Sequence, residues 1–350
     1  MVFSGVSDMA SNELDKADLW ESDDRGAVHC LLCAHGCKIP EGATGRCQVR
    51  ENHAGVLYTR AFQGLCSAGA DPIEKKPLFH FLPGTRTFSI ASLGCNLRCE
   101  FCQNWQISQA CVSEKPAGHR ANPEAIVRAA LDQGCESLAY TYTEPTVFME
   151  LCAECGKLAR VRGLKNVFVS NGFMTRASIE YAVPWLDAIN IDLKAFDPAF
   201  YREACHANLE AVLASIEMIA RETPLWMEIT TLVIPGRNDD EDQLRRLVEF
   251  LVTKAGPDVP WHVSRFHPQY QWEDVSCTPR ETLEKAVEIG RAGGLNYVYM
   301  GNLPGADSES TRCPQCDTRL IHRQGYRIVA NHLKQGHCPT CALQVPGILA

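Results

Sequence analysis

Three cysteines, Cys95, Cys99 and Cys102, sit within the stretch GCNLRCEFCQNW (94–105), close enough for their thiolates to share one metal centre. Iron–sulfur clusters and structural zinc ordinarily take four protein ligands. Either a distant cysteine such as Cys66 or Cys111 completes the set, or one metal position stays open for a substrate or cofactor, as in catalytic zinc sites. A second group, Cys30, Cys33, Cys37 and Cys47, has the pattern Cys-x2-Cys-x3-Cys with a fourth cysteine ten residues later. It fits zinc, a second iron–sulfur cluster or unliganded thiols, and His29 and His35 are near enough in sequence to substitute as ligands. The third group, Cys313, Cys316, Cys338 and Cys341, forms two Cys-Pro-x-Cys knuckles with 21 residues between them, the spacing of a four-cysteine zinc ribbon. The other seven of the eighteen cysteines (Cys66, Cys111, Cys135, Cys152, Cys155, Cys205, Cys277) are scattered, and most read as small buried hydrophobes.

In a secreted chain this many cysteines would suggest disulfides. The N-terminal sequence MVFSGVSDMASNELDKADLWESDDRG is acidic and lacks the basic, apolar and small-residue succession of a signal peptide. No apolar run approaches the ~20 residues of a membrane helix. A cytoplasmic protein with metal-binding thiols is therefore expected, without a membrane. The net charge of −8 counts against a surface that coats nucleic acid. With 45% hydrophobic and 22% charged residues the composition is that of an ordinary globular protein, and 350 residues allow one large domain or two to three smaller ones.

The elements that must position these groups divide the chain into four parts. A flexible acidic tail is expected over 1–25, a Cys-, Gly- and Pro-rich module over 26–84, an alternating strand–helix region over 85–305 and a four-cysteine ribbon over 306–350. Within the third part, strand patterns at 87–93, 137–142, 166–170, 187–193, 225–234, 259–266 and 296–300 alternate with helical ones at 122–134, 146–163, 175–186, 199–221, 239–256 and 279–294. Short strands alternating with helices of ten or more residues mean parallel βαβ units, and so many in a row favour a partial or complete (β/α) barrel in an α/β fold. The loop carrying Cys95 to Cys102 leaves the first barrel strand, at the edge where such barrels do their chemistry. No Gly-x-Gly-x-x-Gly follows a strand and no Gly-Lys-Ser/Thr occurs, so dinucleotide and P-loop readings lose their main support.

Cys-x3-Cys-x2-Cys with Phe101 just before the last cysteine resembles the signature of radical S-adenosylmethionine (SAM) enzymes. The resemblance implies a [4Fe–4S] cluster on Cys95, Cys99 and Cys102, with the amino and carboxylate groups of SAM on the open iron. An electron from the reduced cluster would cleave SAM to methionine and a 5′-deoxyadenosyl radical, which abstracts hydrogen. TYTEPT (141–146) stands where that family usually has Gly-Gly-Glu-Pro: Glu144 and Pro145 match, whereas Tyr142 and Thr143 replace the glycines and leave their carbonyls for the SAM amino group. SNGF (170–173) and NIDLK (190–194) resemble segments of glycyl-radical activating enzymes, which implies that Asn171, Asp192 and Lys194 face SAM, Lys194 supplying a cation for its carboxylate.

Together with CLLCAHGCKIPEGATGRCQVREN, NIDLKAFDPAFYRE, TTLVIPGRND and the two knuckles, these motifs look like the AmmeMemoRadiSam-system radical SAM proteins, relatives of pyruvate formate-lyase activating enzyme, over about residues 27–346. One departure is YREACHANLEAV (201–212), with His206 and Ala207 where a glycine pair is expected. The resemblance implies a flavodoxin- or ferredoxin-type electron donor, a protein or peptide substrate, and association with Memo-like and AMMECR1-like proteins.

Plainer roles compete at several positions. Glu144 could simply stabilise the start of the helix after Pro145. Asp192 and Lys194, two residues apart on a strand, share one face and could be an internal ion pair. Cys152 and Cys155 fall inside a predicted helix and are expected in the core, His267 is expected to be a satisfied histidine, and GRNDDED (236–242) is a solvated loop and helix start. A radical enzyme acting on RNA or a small molecule, or a non-catalytic iron–sulfur and zinc scaffold, are the functional alternatives.

Overall fold

The computed structural model describes residues 7–8, 14–110, 119–303 and 307–349; Cys111 and residues 1–6 and 9–13 of the expected tail lie outside them. Its centre is a sheet of eight strands in chain order: β1 Leu65–Pro72, β2 Arg86–Ser92, β3 Ser137–Tyr140, β4 Lys165–Ser170, β5 Ala188–Asp192, β6 Trp226–Val233, β7 Trp261–Arg265 and β8 Val298–Gly301. Strands β2 to β8 are parallel, and β1 runs antiparallel to β2. Six helices follow the strands in the expected alternation: α1 Pro123–Asp132, α2 Met149–Val161, α3 Arg176–Ala182, α4 Leu209–Glu222, α5 Glu241–Lys254 and α6 Arg280–Ala292. Their starts are encoded locally. Asn122, Thr175, Asn208 and Asp240 each accept a backbone N–H of the first turn and cap α1, α3, α4 and α5. Among the described residues no pairing joins β8 to β1, so the barrel is partial.

Three boundaries differ from the sequence reading. Residues 15–22 are not tail: Asp15–Lys16 pairs with Val56–Thr59, Trp20–Ser22 pairs with Val28–Cys30, and Ala17 between them is buried. Backbone pairing and the Asp18 N–H donating to Glu150 (2.9 Å) hold this stretch, while its acidic residues keep partial access to solvent. The sheet also starts before residue 85. LCSAGADP (65–72) has weak strand propensity, yet it becomes β1 by pairing along the whole of β2. The helix expected over 199–221 is two, Pro198–Ala204 and α4, because His206 takes a left-handed conformation (φ 57°) and Asn208 caps a new start.

Between β1 and β2 the chain crosses the barrel interior. Ile73, Leu78, Phe81 and Leu82 pack against Ala139, Val167 and Ala188 on the inner faces of β3, β4 and β5. Small residues on those strands leave room for this plug, and Asn190 Nδ2 donates to the Pro77 carbonyl (2.8 Å) to fix it. Glu228, fully buried on β6, accepts from the Phe79 N–H (3.0 Å), the His80 N–H (2.7 Å) and Trp226 Nε1 (3.0 Å), and its carboxylate lies 2.6 Å from His262 Nε2.

The C-terminal module, a three-stranded antiparallel sheet of Thr311–Arg312, Arg319–Gln324 and Arg327–Asn331, packs on this plug. Arg323 donates to the Phe79 carbonyl (2.7 Å), and the last segment returns so that Ile348 and residues 80–82 exchange backbone hydrogen bonds of 2.7 and 2.8 Å. The module thus bridges the plug after β1 and the far edge at β8.

His80 sits at this junction, between the Pro346 carbonyl (2.8 Å) and the Tyr299 hydroxyl (2.6 Å), and burial drives its pKa down to about 4. The unfolded chain therefore takes up this proton first. The contribution is intact above about pH 6.5 and is lost as the pH falls toward 4, a drop of about 3 kcal/mol. Denaturant unfolding at pH 7 and pH 4.5 should show this loss in the wild type and a markedly smaller one in His80→Gln; equal losses would assign the acid sensitivity elsewhere.

Candidate active site

The cysteine loop is shaped from two sides. Gly94 turns at φ +97° with its Cα against the N-terminal module, where a Cβ would come within 2.5 Å of Val49 Cγ2 and 3.0 Å of the Cys47 carbonyl oxygen; only glycine fits. Farther along, the N–H groups of Arg98 and Glu100 donate to the carbonyls of Cys205 (3.1 Å) and Ala204 (3.0 Å), which the break before α4 leaves free. Held this way, Cys95, Cys99 and Cys102 all line one cavity of about 500 Å³ at the C-terminal ends of the strands. Burial pushes the Cys95 and Cys102 thiols up; a hydrogen bond with Cys205, then burial, does the same to Cys99. Such thiols ionise when a metal replaces the proton, which suits ligands better than nucleophiles. Phe101 is buried against Trp272 and Phe200, with ring centroids 5.0 and 5.6 Å away, and it also reaches the cavity.

The ends of β3, β4 and β5 bring the other expected residues to the same cavity. Glu144 is buried, and its carboxylate accepts from Thr146 N (3.0 Å), Thr146 Oγ1 (2.5 Å), Ser170 Oγ (2.8 Å) and Asn171 N (2.8 Å). It caps the short helix Pro145–Phe148 and ties β3 to β4, so the structural role is present whatever else it does. Burial raises its pKa. Asn171 donates through Nδ2 to Asn96 Oδ1 (2.7 Å), beside Cys95. Asp192 and Lys194 form the ion pair that their spacing suggests, at 3.2 Å. Burial opposes the Lys194 charge, but the Asp192 carboxylate beside it counters this and holds the ammonium well above the ordinary lysine range.

Tyr142 explains how a bulky residue replaces glycine. Its φ is +68°, a region tyrosine rarely enters, and its hydroxyl is anchored to Asp71 on β1. Lys75 and Lys76 lie over the ring at 5.8 and 4.8 Å, and Asn104 Nδ2 donates to the Tyr142 carbonyl (2.9 Å), leaving that oxygen a second lone pair. Thr143 fixes the next residue by donating to the Ser92 carbonyl (2.6 Å).

Several cavity residues were not singled out by sequence. Asn96, adjacent to Cys95, bridges it to Asn171. Lys75 lines the cavity and, with Lys76, pairs with Asp71 at 2.8 Å; the close spacing of these charges was the available signal. His262 and Tyr299 form the inner wall with stacked rings 5.2 Å apart, and nothing in a strand pattern marks them. Cys205 beside Cys99 is buried, as expected of a small hydrophobe, and nothing in the sequence of its loop marks it as a neighbour of the cysteine motif. Cys66 is elsewhere, its thiol donating to the Ala91 carbonyl (3.4 Å). Cys152 and Cys155 are buried in α2, and His267 lies outside the cavity, 3.5 Å from Cys277. Of the remaining expected ligands, Cys30, Cys33, Cys37 and Cys47 share a separate pocket. Cys313, Cys316, Cys338 and Cys341 converge with all four sulfurs within 4.8 Å of one another, the Cys313–Cys341 and Cys316–Cys338 pairs being 3.5 and 3.6 Å apart. A zinc tetrahedron with Zn–S bonds of about 2.3 Å has edges of about 3.8 Å, so this set fits such an ion.

A parallel βα series with three cysteines on the loop after its first parallel strand defines a class of domain: residues 89–248 match the Radical SAM superfamily and form a domain of that kind. That family implies a [4Fe–4S] cluster and SAM as cofactors. The chain is 41% identical over 336 residues to the uncharacterized protein MJ0808 of Methanocaldococcus jannaschii, covering 95% of this chain and 99% of that protein. It is 24% identical over 221 residues to the pyruvate formate-lyase-activating enzyme of Listeria monocytogenes, covering 59% of this chain and 86% of the relative. Among solved structures, a domain of pyruvate-formate lyase-activating enzyme from Bacteroides vulgatus aligns with a TM-score of 0.42 and 18% identity, over 47% of this chain and 99% of that one. No described helix is long and apolar enough to cross a membrane.

Glu144→Ala should leave the Asn171 N–H and the Ser170 hydroxyl buried without their acceptor and cost about 2–3 kcal/mol in denaturant unfolding. An unchanged midpoint would show that the carboxylate does not hold β3 to β4.

Proposed function

We propose that the cavity is a radical SAM active site in which Cys95, Cys99 and Cys102 hold the [4Fe–4S] cluster and Tyr142, Thr143, Glu144, Asn171, Asp192 and Lys194 surround SAM. One observation carries this reading: three thiols from a single loop and polar residues from the ends of three further strands line one cavity. The donor set fits, since three thiols from one loop face a common cavity and about 500 Å³ lies within the range of cofactor pockets. When bound, cluster and SAM supply one-electron cleavage of SAM and hydrogen abstraction.

The chain's own residues orient and enclose. Lys194, kept charged by Asp192, offers a cation to the SAM carboxylate. The Tyr142 and Thr143 carbonyls and the spare lone pair of Glu144 Oε2 suit its amino group, and Phe101 gives an apolar wall. The plug closes the inner end of the cavity and keeps bulk water from a reactive species. Similarity to activating enzymes for pyruvate formate-lyase favours a protein or peptide substrate, with a glycine backbone as the reacting unit. A flavodoxin- or ferredoxin-type donor, a cytoplasmic setting and association with Memo-like and AMMECR1-like proteins complete the reading, as does zinc on Cys313, Cys316, Cys338 and Cys341.

After anaerobic reconstitution and reduction, the wild type should convert SAM to 5′-deoxyadenosine and Cys99→Ala should not. A fully loaded, reducible cluster that gives neither product nor a SAM-induced EPR change would sink the reading. Lys194→Ala should keep its iron while needing at least about tenfold more SAM for that EPR change, the equivalent of about 1.4 kcal/mol; unchanged SAM dependence would remove Lys194 from the site. Zinc analysis should give about one ion per chain, lost in Cys313→Ser/Cys338→Ser.

A further inference from the structure

We propose that Cys30, Cys33, Cys37 and Cys47 form a second metal centre, an iron–sulfur cluster of the two-iron or four-iron type, seated directly behind the loop that carries Cys95. The proposal stands apart from the SAM chemistry, which it does not require. All four cysteines line one small enclosed pocket. Local structure brings them there: the hairpin of Val28–Cys30 and Lys38–Ile39 sets the Cys30 N–H against the Cys37 carbonyl (2.9 Å), and a turn closed by Gly36 N–H to the Cys33 carbonyl (3.0 Å) folds Cys33 inward. Cys47 arrives on the following loop, which Gln48 turns at φ 61°.

The pocket also holds a buried cation. Arg50 is 1% exposed, and its Nη1 lies 3.5 Å from Cys30 Sγ. Nη2 pairs with Glu150, but Nε has no hydrogen-bond partner among the described residues. A buried donor left unmatched in a thiol-lined pocket suits an anionic, thiolate-ligated cluster, whose sulfurs accept such bonds.

Sulfur spacing separates the two metal chemistries. Among the described residues, the only group of three or more His, Cys, Asp or Glu side chains with every ligand atom within 4.8 Å is the C-terminal set, which matches a single tetrahedral ion. The N-terminal cysteines are spread more widely, as are Cys95, Cys99 and Cys102. Wider spacing suits thiolates that each hold a different part of a multi-iron cluster. The pattern Cys-x2-Cys-x3-Cys is also the catalytic loop's Cys-x3-Cys-x2-Cys reversed. The two cysteine sets are near neighbours: His35 Nε2 is 2.7 Å from the Asn96 carbonyl oxygen, its ring packs 4.7 Å from Phe173, and Gly94 backs onto Cys47.

The test uses the full-length Cys95→Ala/Cys99→Ala/Cys102→Ala chain, reconstituted anaerobically with iron and sulfide, so that failure of the SAM reading has no bearing on it. Iron and sulfide should be retained in equal amounts, about two or four of each per chain, with an EPR signal on reduction. Adding Cys30→Ala/Cys37→Ala should abolish both. If that chain does not fold by circular dichroism, Cys37→Ala alone, at a half-buried position, should still shift the EPR spectrum. A folded triple variant that binds no iron, that carries a second zinc instead, or whose iron spectrum ignores both cysteine changes would overturn the proposal.

Discussion

A single buried carboxylate, Glu228, decides whether this barrel has an interior cavity of defined shape. Its charge would be prohibitive in an apolar core without partners. It receives two backbone N–H groups of the plug, the Trp226 indole and His262, and those partners hold its pKa low against burial. The carboxylate therefore locks the crossing segment 73–82 at one depth. From that depth follow the inner boundary of the cavity, the placing of Lys75 and Phe79 in its wall, and the surface on which Arg323 and the C-terminal module rest.

On the opposite side the cysteine loop is keyed rather than free. Gly94 fits against Val49 and Cys47, Arg98 and Glu100 take up the carbonyls of the broken helix, and Asn96 ties the loop to Asn171. Each contact comes from a different part of the chain. The loop bearing the three thiols is thus held by protein contacts from several directions, and those contacts offset part of its ordering entropy.

Much of this was legible in the sequence for physical reasons. Parallel strands buried on both faces show up as apolar runs, and their capped helices announce their starts, so β2 to β8 and the strand ends bearing Glu144, Asn171, Asp192 and Lys194 could be placed. What escaped was decided by tertiary contact. LCSAGADP becomes a strand only because β2 offers it an edge, and the segment 15–22 is ordered by pairing with residues far along the chain. The break at Cys205 to Asn208 overrides a helical period with one left-handed residue and one cap. Cys205, beside Cys99, and Tyr299 reach the site through packing that no local pattern encodes.

The partial barrel also has a consequence for how the protein is made. Among the described residues strand pairing does not close the gap between β1 and β8; the C-terminal module covers it by contacts to Phe79, His80 and Glu74, while Glu309 and Tyr326 contribute to the cavity wall. During synthesis the cysteine loop leaves the ribosome some two hundred residues before the module that completes its enclosure. A nascent chain thus carries Cys95, Cys99 and Cys102 early but lacks the enclosing wall until the segment around Ile348 docks against residues 80–82. Order of synthesis alone delays completion of the chamber until residues 307–349 have followed.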